Sequence, residues 1–197
     1  MSRYVPAMTA APDAHPLPML SADDARTAAV ATGVPEMLAS TNVVRFALRN
    51  PKVATVFAGI IDMAVLGGTL DARLREIAIL RVGWRIGSVY EWSNHVSIAR
   101  RAGMTDAEIV AVRTADAAVL SPADLLAIRV TDEVLDATVV SPTTLDDARS
   151  LLGDGDALLE LVAIPGSYRL LGSLLLTFQV PLESHVAPWA PDGVAPS

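Results

Sequence analysis

The sequence predicts an all-α fold, and two observations carry that prediction. N-cap residues and helix-opening prolines recur ahead of apolar segments, and no run alternates apolar and polar residues as a half-buried strand would. The nearest strand candidate, Ala137-Thr138-Val139-Val140, is too short to build a sheet.

Taken in order, Ser21 offers an N-cap to a first helix that fades at Thr32-Gly33, and Pro35 opens a short turn. Thr41-Asn42 can cap the next segment, which must stop before Pro51. From Lys52 to Gly67 the residues are apolar nearly all round, which predicts a helix in a core or a subunit contact. Asp71 suits the positive end of a helix that carries Glu76. A break at Gly87 separates it from a second helix, which ends at Gly103 with Arg100 and Arg101 in its last turn. Thr105 and Glu108 form a capping box for a short helix to about Thr114. Ser121-Pro122 and Ser141-Pro142 open helices that run to about Asp136 and Leu152. The last apolar segment, about 157–180, is expected to kink or split at Pro165-Gly166. The domain plan is a loose arm over 1–20, one helical domain over 21–180 and a proline-rich irregular tail over 181–197.

Composition removes whole classes of function. The 197 residues contain no cysteine, which excludes disulfides, thiolate metal sites and thiol redox cycles. Of three histidines, His15 and His185 fall in the expected loose ends, so no metal site is expected. Lys52, the only lysine, reads as part of a solvated helix start and not as a Schiff-base former. No dinucleotide fingerprint, phosphate loop or nucleophile elbow occurs, and no cofactor is expected. Net charge is −7 without a basic cluster, which argues against nucleic acid. The most apolar stretch, 161–182, is interrupted by Pro165 and Arg169, so no membrane span is expected. The N-terminus lacks the uninterrupted apolar core of a secretory signal, and cytoplasm is the expected location. Mean hydropathy is +0.42, high enough to predict apolar helix surface at the interface of a homo-oligomer.

The stretch from Arg73 to Gly103 organises the chemistry. If helical after Gly87, it stacks Ser88, Glu91 and His95 on one face, with Glu91 and His95 at the close i, i+4 separation. Glu76 lies about as far before the break as His95 lies after it, so antiparallel packing brings the two level. Two carboxylates and an imidazole in one cleft are the parts for moving a proton. The plainer readings are a surface pair for Glu91 and His95, and an ion pair with Arg75 or Arg73 for Glu76. Ser88 is either a helix cap or a substrate contact. Trp92, Trp84 and Tyr90 are cleft wall or core, and Arg81 and Arg85 either hold a substrate carboxylate or form salt bridges. Tyr168 and Arg169 could close the cleft from the C-terminal half.

At these residues the chain resembles the carboxymuconolactone decarboxylase family, which shares its fold with the alkylhydroperoxidase D family. The carriers are Arg75-Glu76 through Arg81, the block from Gly87 to His95, and Ala102-Gly103 through Ile109, within a resemblance strongest over about 45–130. The resemblance implies a helical bundle built around an antiparallel hairpin, and a symmetric oligomer, whether dimer, trimer or hexamer. The peroxidase branch has two cysteines where this chain has Ser88 and Glu91, with Glu76 and His95 at its glutamate and histidine positions. The decarboxylase branch has a glutamate four residues before the histidine, as Glu91 stands before His95. The resemblance therefore implies proton transfer, with Glu91, His95 and Glu76 catalytic, and the reading of the residues themselves offers Ser88, Tyr90, Trp92, Arg81 and Tyr168 as substrate contacts. The expected activity is a cofactor-independent lyase or isomerase acting on a small oxygenated acid, lactone or enolisable carbonyl compound. The alternative is a non-catalytic oligomer that binds a small ligand or a partner.

Overall fold

The computed structural model describes residues 17–197, so His15 and most of the expected N-terminal arm lie outside the described residues. Among those residues there are nine α-helices and no strand: α1 (Ala22–Thr32), α2 (Asn42–Ala47), α3 (Pro51–Ile61), α4 (Ala72–Arg85), α5 (Val89–Arg101), α6 (Asp106–Ala111), α7 (Pro122–Ala137), α8 (Pro142–Leu152) and α9 (Asp156–Thr177). A 3₁₀ turn, Glu36–Ser40, links α1 to α2, and a π turn, Asp62–Leu66, extends α3.

The core is built on α4. Asp71 caps it by accepting hydrogen bonds from the amides of Arg73 and Leu74, and residues 76–83 are buried without a break. Such a helix must be covered all round, and α5, α7 and α9 cover it. The turn into α5 is set by Gly87 at φ 69°, a conformation that costs glycine little. Ser88 then caps α5 by accepting from the Glu91 amide at 3.3 Å. Gly83 sets the spacing of this hairpin, since a Cβ there would sit 2.9 Å from the backbone nitrogen of Trp92. The two helices meet backbone to backbone.

Arginines fasten the surrounding helices to α4. Arg81 donates to both carboxylate oxygens of Asp132 on α7 (2.8 and 2.7 Å) and to the carbonyls of Val112 and Arg113 beyond α6 (2.9 and 2.6 Å). Arg73 bridges Asp124 and Glu108, and Arg85 bridges Asp132 and Asp136. Of the two readings of Arg81 and Arg85, the salt bridges are the one formed, and a substrate fork at Arg81 is corrected because all three of its guanidinium nitrogens are already engaged.

Three other expectations are revised. α9 stays one helix through Pro165, although the ring removes the hydrogen bond to the Leu161 carbonyl. Burial of Leu161, Ile164, Pro165 and Tyr168 holds that turn in place. By length and composition α9 is also apolar enough to cross a membrane, yet it lies packed on α4 and α7. Thr41 does not cap α2, because its hydroxyl turns back to the Leu38 carbonyl. The α2 amides of Asn42 and Val43 instead donate to Glu183 and to the Tyr90 hydroxyl.

That last contact shows that the C-terminal tail is irregular but not loose. It crosses α5 as a strap. Trp92 Nε1 donates to the Ala190 carbonyl at 2.6 Å, and the Trp189 amide donates to Ser93 Oγ at 2.8 Å. Asp192 takes both terminal nitrogens of Arg113 at 2.8 Å, and that guanidinium lies over the rings of Trp84 and Trp92.

Candidate active site

Packing of α4 against α5 brings Glu76 and His95 into contact. His95 Nδ1 lies 2.7 Å from Glu76 Oε2, with Glu76 fully buried. An ionised carboxylate only accepts, so the hydrogen sits on Nδ1 and Nε2 is left facing the other way. Arg75 Nε donates to the second oxygen of Glu76 at 3.2 Å. Glu76 thus forms the expected ion pair with Arg75 and at the same time holds the imidazole of His95.

On its free side, His95 Nε2 stands 3.8 Å from Glu91 Oε2. That is beyond a hydrogen bond, and it leaves both groups able to engage one substrate atom. Glu91 and His95 are buried, and both line a cavity of about 520 Å³ beneath the α5 face that presents Tyr90, Asn94, Ser97 and Arg101. Leu38, Val43, Ile61, Val65, Ile98 and Leu171 give it apolar walls. Tyr168 closes it from α9, its ring edge-on to His95 at 5.2 Å between centroids. A second depression, of about 470 Å³ between α1 and the 3₁₀ turn, has no such acid–base cluster.

The electrostatics of the pair follow from its burial. Desolvation pushes the Glu91 carboxyl up, and Glu183 pushes it further, against the pull of His95; the outcome is about 7. Burial alone would lower His95, but the charge and hydrogen bond of Glu76, with Glu91 behind, carry it above the ordinary imidazole value. An acid titrating near neutrality beside a stabilised imidazolium can both give and take a proton at the pH where most enzymes work.

The other candidates divide. Tyr90 and Tyr168 line the cavity, but the Tyr90 hydroxyl is engaged, accepting from the Val43 amide and donating to Glu183 at 2.5 Å. Ser88, Trp92 and Arg81 do not line it. Ser88 is the cap of α5, Trp92 is buried against Trp84 under the strap, and Arg81 is held by Asp132. Sequence reasoning missed Glu183 and His185, which reach the cavity from the strap. The course of that strap follows from tertiary contacts of Trp189 and Asp192, for which no local pattern exists.

An all-α fold holding a buried Glu–His–Glu cluster at the wall of a cavity defines a candidate acid–base protein. Residues 51–133, from α3 into α7, match the model of the carboxymuconolactone decarboxylase family. The matched segment is similar to that family, and it is all-α and without cysteine. Searches of curated proteins and of solved structures found no match. The matched segment contains Glu76, Glu91 and His95, whereas Tyr168 and Glu183 lie beyond it.

Proposed function

We propose that this protein is a cofactor-independent lyase, or an isomerase of the same acid–base type, acting on a small enolisable acid, lactone or carbonyl compound. The observation that carries the reading is the single cavity shared by Glu91 and the free nitrogen of His95, with Glu76 bound behind the imidazole. In a decarboxylation, the bond from carbon to carboxylate breaks and its electron pair moves into an adjacent carbonyl, which gives an enolate and carbon dioxide. Glu91 in its acid form then transfers a proton to that carbon, and His95 as imidazolium returns the proton on Nε2 to Glu91 and is recharged from solvent. Isomerisation uses the same two groups, with Glu91 as carboxylate removing a proton from one carbon and returning it to another. Apolar walls keep water from competing for the enolate.

The test is a screen of small β-keto acids and unsaturated lactones for carbon dioxide release, followed by substitution. Glu91→Gln and His95→Gln are each expected to lower kcat by about 10²- to 10⁴-fold. The double variant should lose far less than the product, since both serve one relay. Glu76→Gln should cost less than either, because it orients the base and does not touch the substrate. Near-wild-type kcat in Glu91→Gln and His95→Gln, with the fold intact, would make the pair structural and leave a ligand-binding scaffold.

A further inference from the structure

Tyr168 is 2 % exposed, yet its hydroxyl makes no hydrogen bond among the described residues. A buried hydroxyl without a partner costs on the order of 1–3 kcal/mol, so it calls for an explanation. It is not sealed in the core: among the described residues, the fully enclosed side-chain polar atom without a partner is Arg113 Nε. Because Tyr168 lines the cavity, its unpartnered oxygen opens into that space. The same reasoning applies to the Glu91 carboxyl and to His95 Nε2, which also have no hydrogen-bond partner among the described residues and line the same cavity. Three unpartnered polar groups, from α5 and α9, thus face one otherwise largely apolar space.

Building on the acid–base reading above, we propose that Tyr168 is a third catalytic residue, whose O–H donates to the oxygen of an enolate formed in the cavity. The preferred substrate class is accordingly a carbonyl compound whose enolate oxygen faces α9 while the reacting carbon faces Glu91 and His95. When the electron pair left by a departing carboxylate or proton moves onto the carbonyl oxygen, the phenol strengthens its hydrogen bond to that oxygen and keeps its own proton. It can remain a donor because burial, with Glu91 and Glu76 nearby, holds its ionisation well above the ordinary phenol value. A donor that meets charge only as it develops stabilises the transition state more than the ground state. The division of labour follows from position. Glu91 and His95 stand on one helix and handle protons on carbon, and Tyr168 stands on another and holds the oxygen.

The test uses pentafluorophenol as a planar oxyanion probe and hexafluorobenzene as its uncharged counterpart. Both are titrated by fluorine NMR into wild type and Tyr168→Phe at mildly acidic pH, where the phenol is ionised and Glu91 is protonated. Tyr168→Phe keeps the ring and removes only the unpartnered hydroxyl, so helical circular dichroism should be unchanged. The expected result is an affinity loss for the phenolate of about 10- to 100-fold, the usual worth of a hydrogen bond to a charged group, with hexafluorobenzene within twofold of wild type. Equal losses for both probes would make Tyr168 a wall and overturn the proposal. So would unchanged phenolate affinity, or a wild type that does not prefer the phenolate. The measurement needs no turnover. Failure of Glu91→Gln to lower kcat would sink the proton-transfer reading while leaving a positive phenolate result standing.

Discussion

At the scale of single residues, Glu91 is held in a state that costs folding energy. Its carboxyl titrates at about 7, against an ordinary value of 4.5, because burial disfavours the charge. The unfolded chain therefore releases this proton at lower pH than the folded one. Below the ordinary value the two states hold it equally, and stability falls as pH rises through the window up to about 7. The full penalty above that window is roughly 3 kcal/mol. His95 is also raised, so its share of stability is present below the ordinary imidazole value and lost as pH rises through the folded one. The two effects have the same sign. Glu91→Gln removes the carboxyl share, so it should raise the melting temperature at pH about 8 and change it little at pH about 5. Calorimetry at both values decides, and an equal offset at both would mean that Glu91 is solvated in the fold. The pair itself was legible from the i, i+4 spacing, and Glu76 from its distance before the break at Gly87. What no spacing reveals is that Arg81 spends its donors on Asp132 and two carbonyls, because those partners are distant in sequence.

At the scale of elements, helix boundaries were written in caps, and most were readable. Ser21, Asp71, Thr105, Ser121 and Ser141 each accept the first-turn amide hydrogen bond that their residue type predicts. The failures share one cause, which is tertiary contact overriding a local signal. Pro165 stays within α9 because its turn is buried, and the tail is fixed by side chains that find partners on α5 and beyond α6. Two predictions belong here. Gly83→Ala places a methyl against the backbone of Trp92, which cannot give way as a flexible side chain would. The hairpin must open to admit it, so a loss of about 1–3 kcal/mol in urea denaturation is expected, and a neutral result would show that α4 and α5 have slack. Asp192→Asn leaves the Arg113 guanidinium over two tryptophans without its counter-charge. Asp192 is partly exposed, so solvent screens the loss to about 1–2 kcal/mol. Arg113 holds its carboxyl down at about 2, so the clasp should persist above the ordinary aspartate range and release as pH falls toward that value. Tryptophan emission across an acid titration reads this release directly. A midpoint unchanged by Asp192→Asn would show that the strap is held by other contacts.

At the scale of the whole molecule, the outer face of α9 is the feature that one copy of the chain leaves unexplained. Leu159, Ala163, Gly166, Leu170, Ser173 and Thr177 follow one another at helical spacing along the exposed side, and none is charged. Leu159 is 71 % exposed and Leu170 46 %. Lone exposed leucines are ordinary, but an uncharged stripe along most of a 22-residue helix is a surface that association removes from water. The same helix carries Tyr168 on its inner side, so a partner seated on the outer face would also fix the wall of the cavity. We propose that a second copy of this chain covers the stripe, since a two-fold contact pairs such a face with itself. Light scattering at micromolar concentration should then give a multiple of the 20.7 kDa chain mass. Leu159→Lys combined with Leu170→Lys should shift it toward the monomer without loss of helical circular dichroism, because neither side chain is buried in one copy. A monodisperse wild-type monomer would refute the assembly. A double variant that keeps the wild-type mass would place the contact on another surface, with the exposed Val56 and Leu66 of α3 and its π turn the next to substitute.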